Sequence, residues 1–287
     1  MNSPRDLRRR IKSVSGTAQI TKAMQMVAAS KMRKAQLAAT ASMPFARLLY
    51  RIQLHATSHM RQFDDPLLEV RPVRKRAVIL VAGDKGLCGA LNTNVFRLAS
   101  HFDEKSTVFI TAGRKAAQFV ARTRRNLVAE FPYHDSPTFA EARAIAAFAR
   151  DLFVKREVDE IKIVSTRFVN TLTQEPVTLE FLPVGELKGV KVPGVEPIDL
   201  DADAEEIEFE PNPEALLGYL LGIYLNVYLY YTLLHAKASE QSARMVSMKN
   251  ATDSAGDLIK ALRLEYNKLR QGNITKELLE IAGGQAE

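Results

Sequence analysis

The residues that could carry chemistry in this chain are a glycine-bearing turn, one cysteine and five histidines. The turn, Gly83–Gly89, follows an apolar run and therefore lies where phosphate-binding loops lie in many nucleotide-binding proteins. It has neither the GxxxxGKS or GxxxxGKT spacing nor the GxGxxG spacing that places backbone amides on phosphates. We therefore interpret it as a tight connection from a strand to a helix, with ligand binding as the alternative.

The cysteine and the histidines do not form a catalytic or metal-binding set. Cys88 has no histidine close by in the sequence, which favours a small buried thiol over a nucleophile. His55 and His59 are spaced to share one helix face, but they lack the glutamate of the HExxH pattern and no third ligand follows. We predict no catalytic residue, no cofactor and no metal, so the chain is not an enzyme by itself.

The net charge of +7 is concentrated at the N-terminal end. Residues up to Lys34 include nine basic side chains against Asp6 alone, a local net charge of +8, so the rest of the chain sums to −1. Such an arm could contact nucleic acid, anionic lipid or an acidic protein surface. It carries no interleaved aromatic residues, which favours a solvated helix face that meets an acidic partner.

The C-terminal segment of the chain is predicted to form one long helix. No proline interrupts the segment from Pro213 to about Ala282. One continuous helix of that length would reach roughly 100 Å, longer than the core of a globular domain of this size, so it needs a long helical partner. Its apolar seam, at three- and four-residue steps, is Met248, Ala251, Ala255, Leu258, Leu262, Glu265 and Leu269.

The candidate partner is the N-terminal segment from Pro4 to about Met60, which is also alanine-rich and only weakly apolar. Pro44 lies inside it and should kink the helix or loosen one turn. If the two helices pair antiparallel, one helix end protrudes. The N-terminal seam is Leu7, Ile11, Val14, Ala18, Thr21, Gln25, Ala28, Met32, Ala35, Ala39, Ser42, Ala46 and Leu49.

Between the two helices the pattern changes to strands that alternate with helices, which predicts a parallel or mixed open sheet. The predicted fold class is therefore α/β with a long α-helical coiled coil and a central, open, Rossmann-like sheet domain. The predicted strands are 77–82, 107–111, 127–131, 160–168 and an edge strand at 176–182. Three helices are predicted: one that follows the turn 83–89 and ends near residue 102, one at 114–122 and one at 138–155. The predicted domains are 1–60, the N-terminal helix; 74–195, the α/β domain; 196–212, an acidic connector; and 213–287, the C-terminal helix.

The segment Ala215–Ala236 carries no charge and has the length of a membrane span. Against a span stand five tyrosines, Asn226 and Thr232, and the continuation of the helix into a charged pattern. A helix covered by neighbours on several sides is favoured. A membrane-anchored scaffold and a basic coiled-coil protein that binds nucleic acid stay open as alternative functions.

Stretches at both ends and in the middle of the chain resemble the gamma subunit of F-type ATP synthases. The N-terminal stretches are RIKSV at 10–14 and ITKAMQMVAASKMRK at 20–34, and the central one is GDKGLCG at 83–89. The C-terminal stretches are SEQSARMVSMKNATD at 239–253, YNKLRQ at 266–271 and ITKEL at 274–278. They follow one another in the order of that family.

The resemblance implies a central rotor shaft. In that family the two terminal helices form an antiparallel coiled coil inside a head of alternating alpha and beta subunits, and the α/β domain lies at the foot with the epsilon subunit, on the c-ring of the membrane sector. Ion flow turns the shaft and drives ATP synthesis at the beta subunits. The implied location is peripheral, on the cytoplasmic face of the bacterial inner membrane, with no role for nucleic acid.

The resemblance also implies roles for individual residues. Arg270, Gln271 and Thr275 match positions that engage the beta catch loops, whereas Lys22 and Met24 match the helix region that faces the acidic beta lever. Two further matches, at polar positions of the C-terminal coil, are Glu240 and Arg244. The paired cysteines of chloroplast relatives are absent, so thiol regulation is not expected.

Overall fold

The computed structural model describes residues 3–58, 65–184 and 213–284. The predicted connector 196–212 lies outside these ranges, and the side chains of Ser42, Ala46, Leu49, His55 and His59 lie outside the described side chains. The described elements are α1 (Pro4–Ser58), β1 (Arg76–Val81), α2 (Leu91–Ser100), β2 (Thr107–Ala112), α3 (Arg114–Arg122), β3 (Asn126–Phe131), α4 (Phe139–Val154), β4 (Glu160–Phe168), β5 (Gln174–Leu182) and α5 (Pro213–Gly284).

The chain divides into two compact units, and both long helices contribute to each of them. Unit 1 consists of Met1–Ala29 and Arg244–Glu287, and unit 2 consists of Ser30–Ala243. This division follows contacts, whereas the predicted domain limits follow secondary structure. Those limits stay a prediction.

Unit 2 contains one sheet with the strand order β3-β2-β1-β4-β5. The first four strands pair in parallel, and β5 pairs antiparallel with β4 at the edge. β1 and β2 are almost entirely buried, because helices cover both faces of the parallel part and apolar residues can follow one another without alternation. The predicted α/β class with a mixed open sheet is confirmed.

The two faces of the sheet have different cores. On one face, Val78 and Leu80 of β1 pack with Phe109 of β2 and with Phe119 of α3, which stacks on Phe96 of α2 at 4.5 Å between ring centroids. The other face packs against α4 and against the uncharged part of α5. In unit 2 the sheet is therefore a layer between helices.

The uncharged run of α5 supplies the core of that second face. Residues Leu221, Leu225, Leu229, Tyr231 and Leu233 are each no more than 1% exposed. Burial against the sheet accounts for the absence of charge, as expected for a helix covered on several sides. Among the described residues, no helix has a stretch that is long and apolar enough to cross a membrane.

In unit 1 the N-terminal part of α1 pairs with the C-terminal part of α5. The Arg8 guanidinium donates a hydrogen bond to the Tyr266 hydroxyl (2.7 Å), and the hydroxyls of Thr21 and Thr252 are also 2.7 Å apart. Moving from Arg8 to Thr21 advances along α1, whereas the facing residue moves back along α5 from Tyr266 to Thr252. The two helices are therefore antiparallel, and the predicted pairing of the terminal helices is present.

Candidate functional site

The seam predicted on α1 faces inward along its described length. Leu7 and Ala28 are each 1% exposed, and the smaller or more polar seam positions between them are partly buried. These partly buried seam residues are Ile11, Val14, Ala18, Thr21 and Gln25; Met32, in unit 2, is partly buried as well. Only one large side chain, Leu7, is fully buried among the described α1 residues of unit 1, so this seam is shallow.

The inward face of α5 in unit 1 differs in part from the predicted seam. Met248, Ala255 and Leu262 are buried, and Ala251 is partly buried. Leu258 is 43% exposed, and the residue after it is partly buried in its place. Inward positions of a heptad repeat alternate between steps of three and four residues. From Met248 the predicted seam takes the step of three first, whereas the structure takes the step of four first. The inward positions are therefore Met248, Thr252, Ala255, Ile259, Leu262, Tyr266 and Leu269.

Sequence reasoning missed the two polar members of that face, Thr252 and Tyr266. Each makes a hydrogen bond to α1, as described above. Tyr266 also carries the Arg8 guanidinium over its ring, 5.5 Å from the ring centroid. The signal that could have found them is the alternative heptad register, in which a threonine and a tyrosine fall on the seam instead of a glutamate.

The residues matched to partner contacts lie at two separate places on unit 1. Lys22 is exposed and Met24 is partly buried, whereas Arg270, Gln271 and Thr275 are all exposed. The antiparallel pairing places Lys22 opposite residues near 251 of α5, roughly 30 Å along the helix from Arg270. The two groups of residues therefore lie apart on unit 1, and the structure does not bring them together.

Unit 1 also exposes large apolar side chains. Those with the highest exposure on its described helices are Ile20 (63%), Met26 (61%), Val27 (54%), Leu264 (72%), Ile274 (48%), Leu278 (61%) and Leu279 (67%). Exposed apolar groups interspersed with basic ones are typical of a surface that another protein covers. We call this set the exposed apolar residues of unit 1.

Unit 2 contains a buried charged group that sequence reasoning did not single out. Lys237 of α5 is 0% exposed, and its Nζ donates a hydrogen bond to Glu240 Oε2 at 3.1 Å. The same Nζ lies 3.8 Å from Asp135 Oδ1, 3.9 Å from Asp84 Oδ2 and 4.3 Å from the centroid of the Tyr133 ring. We call these five residues, together with Lys31, the Lys237 cluster.

The pKa values of the cluster follow from these contacts. A hydrogen bond from Lys31, and then the charge of Lys237, lower the pKa of Asp135. Burial raises the pKa of Tyr133 well above its usual value, and the negative charges of Glu240, Asp84 and Asp135 raise it further. Tyr133 is therefore a neutral hydrogen-bond donor, and its hydroxyl donates to the Ala82 carbonyl at 3.1 Å.

The turn Gly83–Gly89 belongs to this cluster. A side chain on Gly83 would place a Cβ 2.7 Å from the Glu240 carboxyl carbon, so the Glu240 carboxylate can occupy its present position only because residue 83 is a glycine. Asp84 accepts a hydrogen bond from the Arg114 amide at the start of α3 (2.8 Å), where a helix favours a negative charge. The Gly83 amide donates to Asn92 Oδ1 at 3.2 Å. The turn thus joins elements of the fold, as the strand-to-helix interpretation expects.

The remaining chemical candidates are structural in character. Cys88 is 3% exposed, and its Sγ accepts a hydrogen bond from the Asn92 amide group at 3.5 Å. Among the described residues, no group of three or more histidine, cysteine or acidic side chains could hold a metal ion.

A cleft of about 650 Å³ lies between β4, β5 and α5, and His235 lines it. Burial, and then the charge of Arg167, lower the pKa of His235.

Comparison with known proteins gives one consistent family. A family model described as ATP synthase matches residues 3–286. The ATP synthase gamma chain of Opitutus terrae is 44% identical, over 99% of this chain and 98% of the relative. The gamma chain of Roseiflexus castenholzii is also 44% identical, over 100% and 98% respectively.

Solved structures with the same fold come from mitochondrial ATP synthases. A chain in the OSCP/F1/c-ring structure of Euglena gracilis matches 99% of this chain and 93% of its own length, with a TM-score of 0.70 and 19% identity. A chain in the central stalk/c-ring structure of Tetrahymena thermophila has a TM-score of 0.58 and 22% identity over 81% of this chain and 99% of its own length. At such identities the likeness concerns the fold.

Proposed function

The chain belongs to the ATP synthase gamma chain family, and on that premise we propose how it acts as the central rotor shaft of an F-type ATP synthase. It is a non-catalytic subunit: ATP is made from ADP and phosphate elsewhere in the complex, and this chain couples ion-driven rotation to that reaction. The observation that carries the assignment is the family match over residues 3–286. It agrees with the antiparallel pairing of the terminal helices in unit 1.

The mechanism we propose is a population shift by differential contact. A rotor whose faces differ stabilises a different conformation of each surrounding beta subunit, and it can shift each conformational equilibrium only by the difference in its contact free energies. Unit 1 supports this view because its surface is uneven: basic side chains cluster on α1, and exposed apolar residues lie on both helices.

The shallow seam of unit 1 suits rotation inside a sleeve. Its inward positions are mainly alanine, threonine and medium-sized apolar residues, so the helix pair can be slender. We propose that slenderness lets the pair turn within the alpha and beta subunits without locking.

Two contact sites with the head follow as proposals. Lys22 and Met24 would face an acidic lever of the beta subunit, supported by the local net charge of +8 up to Lys34. Arg270, Gln271 and Thr275 would engage the beta catch loops, and their exposure leaves them accessible for such contacts. The Thr275 hydroxyl already donates to the Gln271 carbonyl at 2.9 Å. We therefore expect the guanidinium of Arg270 and the amide of Gln271 to make the direct contacts.

The further partners we propose are the epsilon subunit and the c-ring, both met through unit 2. The chain is then a peripheral part of a membrane-bound complex, and we place it on the cytoplasmic face of the bacterial inner membrane. The chain has a single cysteine, which supports a location on the reducing, cytoplasmic side of that membrane. No described feature favours the nucleic-acid-binding or membrane-anchored alternatives over this function.

The experiment that tests the proposed function is ATP hydrolysis by the alpha–beta head of the same organism. Turnover is measured for the head alone, with the full chain, and with a chain that stops after Tyr266. We expect the full chain to co-purify at one copy per head and to raise steady turnover. The shortened chain measures the contribution of the whole segment 267–287, which contains Arg270, Gln271 and Thr275. A head that neither binds the full chain nor responds to it would contradict the function.

A further inference from the structure

The Lys237 cluster joins four separate parts of unit 2. Lys237 and Glu240 belong to α5, Asp84 to the turn after β1, and Tyr133 and Asp135 to the segment after β3. Lys31, on α1, forms an ion pair with Asp135. Both long helices are thus tied to the same edge of the sheet through one pair of lysines and three carboxylates.

The cluster is built to hold a charge that cannot reach water. An ammonium group is strongly disfavoured in a protein interior unless it is paired and hydrogen-bonded. Lys237 meets this requirement with a hydrogen bond to Glu240, two further carboxylates within 4 Å and the face of the Tyr133 ring. The hydrogen bond lies within α5, whereas the other contacts come from outside it. Because these partners lie on two segments outside α5, a shift or rotation of α5 would move the ammonium group away from at least one of them.

Apolar packing alone would define the axial position and the rotation of α5 less closely than the Lys237 cluster does. Next to the cluster, α5 contacts the sheet through leucine and tyrosine side chains, and the hydrophobic effect that drives their burial is non-directional. One polar tie besides the cluster is the Tyr231 hydroxyl, which donates to the Ala39 carbonyl of α1 at 2.9 Å. Buried ionic groups are best attested as devices that set register, and apolar residues can replace them without loss of stability.

The turn Gly83–Gly89 is shaped to admit the cluster. Gly83 leaves the space that the Glu240 carboxylate occupies, and a Cβ there would come within 2.9 Å of both carboxylate oxygens. Asp84, the next residue, binds the start of α3 with one oxygen and faces Lys237 with the other. The motif thus places a glycine and a carboxylate where α5 needs them.

We propose that Lys237 is a positioning residue for rotary coupling: through Asp84, Asp135, Glu240 and Lys31 it fixes α5 and α1 to the sheet of unit 2. The inference rests on the proposed rotor function. When torque enters through unit 2, the sheet and the parts of both helices that belong to unit 2 turn together because the cluster prevents α5 from sliding or rotating on the sheet. Without the buried ammonium, part of the rotation is lost as slip inside unit 2.

The test uses the assembled holoenzyme in membrane vesicles with Lys237→Met, which keeps the length of the side chain and removes its charge. ATP hydrolysis and ATP-driven uptake of the transported ion are measured on the same vesicles. Hydrolysis should stay within about twofold of the wild type, while ion uptake per ATP should fall by about threefold or more, within the range by which coupling networks act. Lys249→Met, at an exposed lysine of the same helix, should change neither quantity.

A second variant separates positioning from folding. Lys237→Met combined with Glu240→Gln removes the charges of both partners of the hydrogen bond, while Asp135 keeps its ion pair with Lys31 and Asp84 keeps the hydrogen bond from the Arg114 amide. We expect this double variant to recover the assembly and thermal stability that Lys237→Met loses, but not the ion uptake per ATP. Recovery of uptake together with stability would show a structural role only and overturn the inference.

The inference and the proposed function fail in different ways. If Lys237→Met vesicles take up as many ions per ATP as wild-type vesicles, the cluster does not position the rotor, whereas the rotor function stands. If the wild-type chain does not support coupled hydrolysis in the holoenzyme, the function itself fails. Wild-type vesicles in every assay therefore distinguish the two results.

Discussion

Gly83 and Gly86 lie in one turn, yet the structure assigns them different roles. A Cβ on Gly83 would meet the buried Glu240 carboxylate, whereas a Cβ on Gly86 would meet nothing within 4 Å. The turn is evident in the sequence, but this difference is not, because it depends on a residue of α5 about 150 positions later in the chain. The reason for a glycine at position 83 is therefore a tertiary contact with Glu240, although the turn looks like a purely local feature.

Replacement of these two glycines by alanine tests that distinction. Gly83→Ala should destabilise the chain by about 1–3 kcal/mol, because Glu240 must move from its place beside Lys237. Gly86→Ala should change the free energy of unfolding by no more than about 0.5 kcal/mol. Urea unfolding of both variants gives the comparison. Equal losses would mean that the turn, and not the approach of α5, requires glycine.

His235 should make the stability of the chain depend on pH. Its pKa in the folded state is lowered from the usual 6.5, so the unfolded chain binds a proton first as the pH falls. Stability should therefore be full above the unfolded pKa and decline as the pH drops below it, towards the folded pKa. Urea midpoints at about pH 7.5 and 5.5 should differ more in the wild type than in His235→Gln. The same difference in both proteins would assign the effect to other groups.

Lys237 could have been noticed in the sequence but not understood from it. It follows an uncharged run of 22 residues, 215–236, and precedes Glu240 by one helical turn. That spacing predicts an i,i+3 pair on a helix surface. The sequence does not reveal that this pair is buried. The other groups that stabilise the buried Lys237 charge are two carboxylates and an aromatic ring, and they come from loops whose positions depend on the sheet.

At the scale of elements, period and composition predicted the α/β part well. The predicted bounds of α3 and β4 agree with the structure, because continuous apolar runs and polar breaks mark them clearly. β5 begins at Gln174, two residues before the prediction, since an antiparallel edge strand is held by backbone pairing and does not need apolar residues at its start. The heptad register of α5 was harder, because leucine and isoleucine stand side by side at 258 and 259.

Two leucines of α5 test the inward face of unit 1. Leu262 is 5% exposed and Leu264 is 72% exposed, so the same substitution has different consequences. Leu262→Ala should cost about 2–3 kcal/mol of stability in the helix pair, and Leu264→Ala should stay within about 0.5 kcal/mol. Circular dichroism during thermal unfolding of the full chain measures both. A larger effect at Leu264 would place the seam on the other face.

At the scale of the whole molecule, sequence could not predict the division into two units. Secondary structure is continuous through α1 and α5, and nothing in the local pattern marks Ala29 or Ala243. The division arises because the same two helices have different neighbours along their length. In unit 2, α5 packs on a sheet and, of the described α1 residues, only Ala39 packs against the same core, whereas in unit 1 the two helices pair with each other.

Hydrogen exchange on the full chain should reveal this difference. Amides of β1, β2 and β4 should exchange most slowly, because these strands are central and buried. Amides of α5 beyond Leu269 should exchange faster than those in the earlier part of α5, since the described side chains after Leu269 are exposed. Mass spectrometry of peptides gives the rates. Uniform protection along α5 would contradict this expectation, whereas added protection of 264–279 on binding the head would support the proposed contacts there.

The exposed apolar residues of unit 1 have a consequence for how the chain is handled in a cell. Ile20, Met26, Leu264 and Leu279 lie on the surface of a long helix pair, where other partially assembled proteins and copies of the same chain can reach them. Surplus copies should therefore be removed by proteases or kept soluble by chaperones until the head encloses them. The abundance of this chain should follow the supply of its partners more closely than the expression of its own gene.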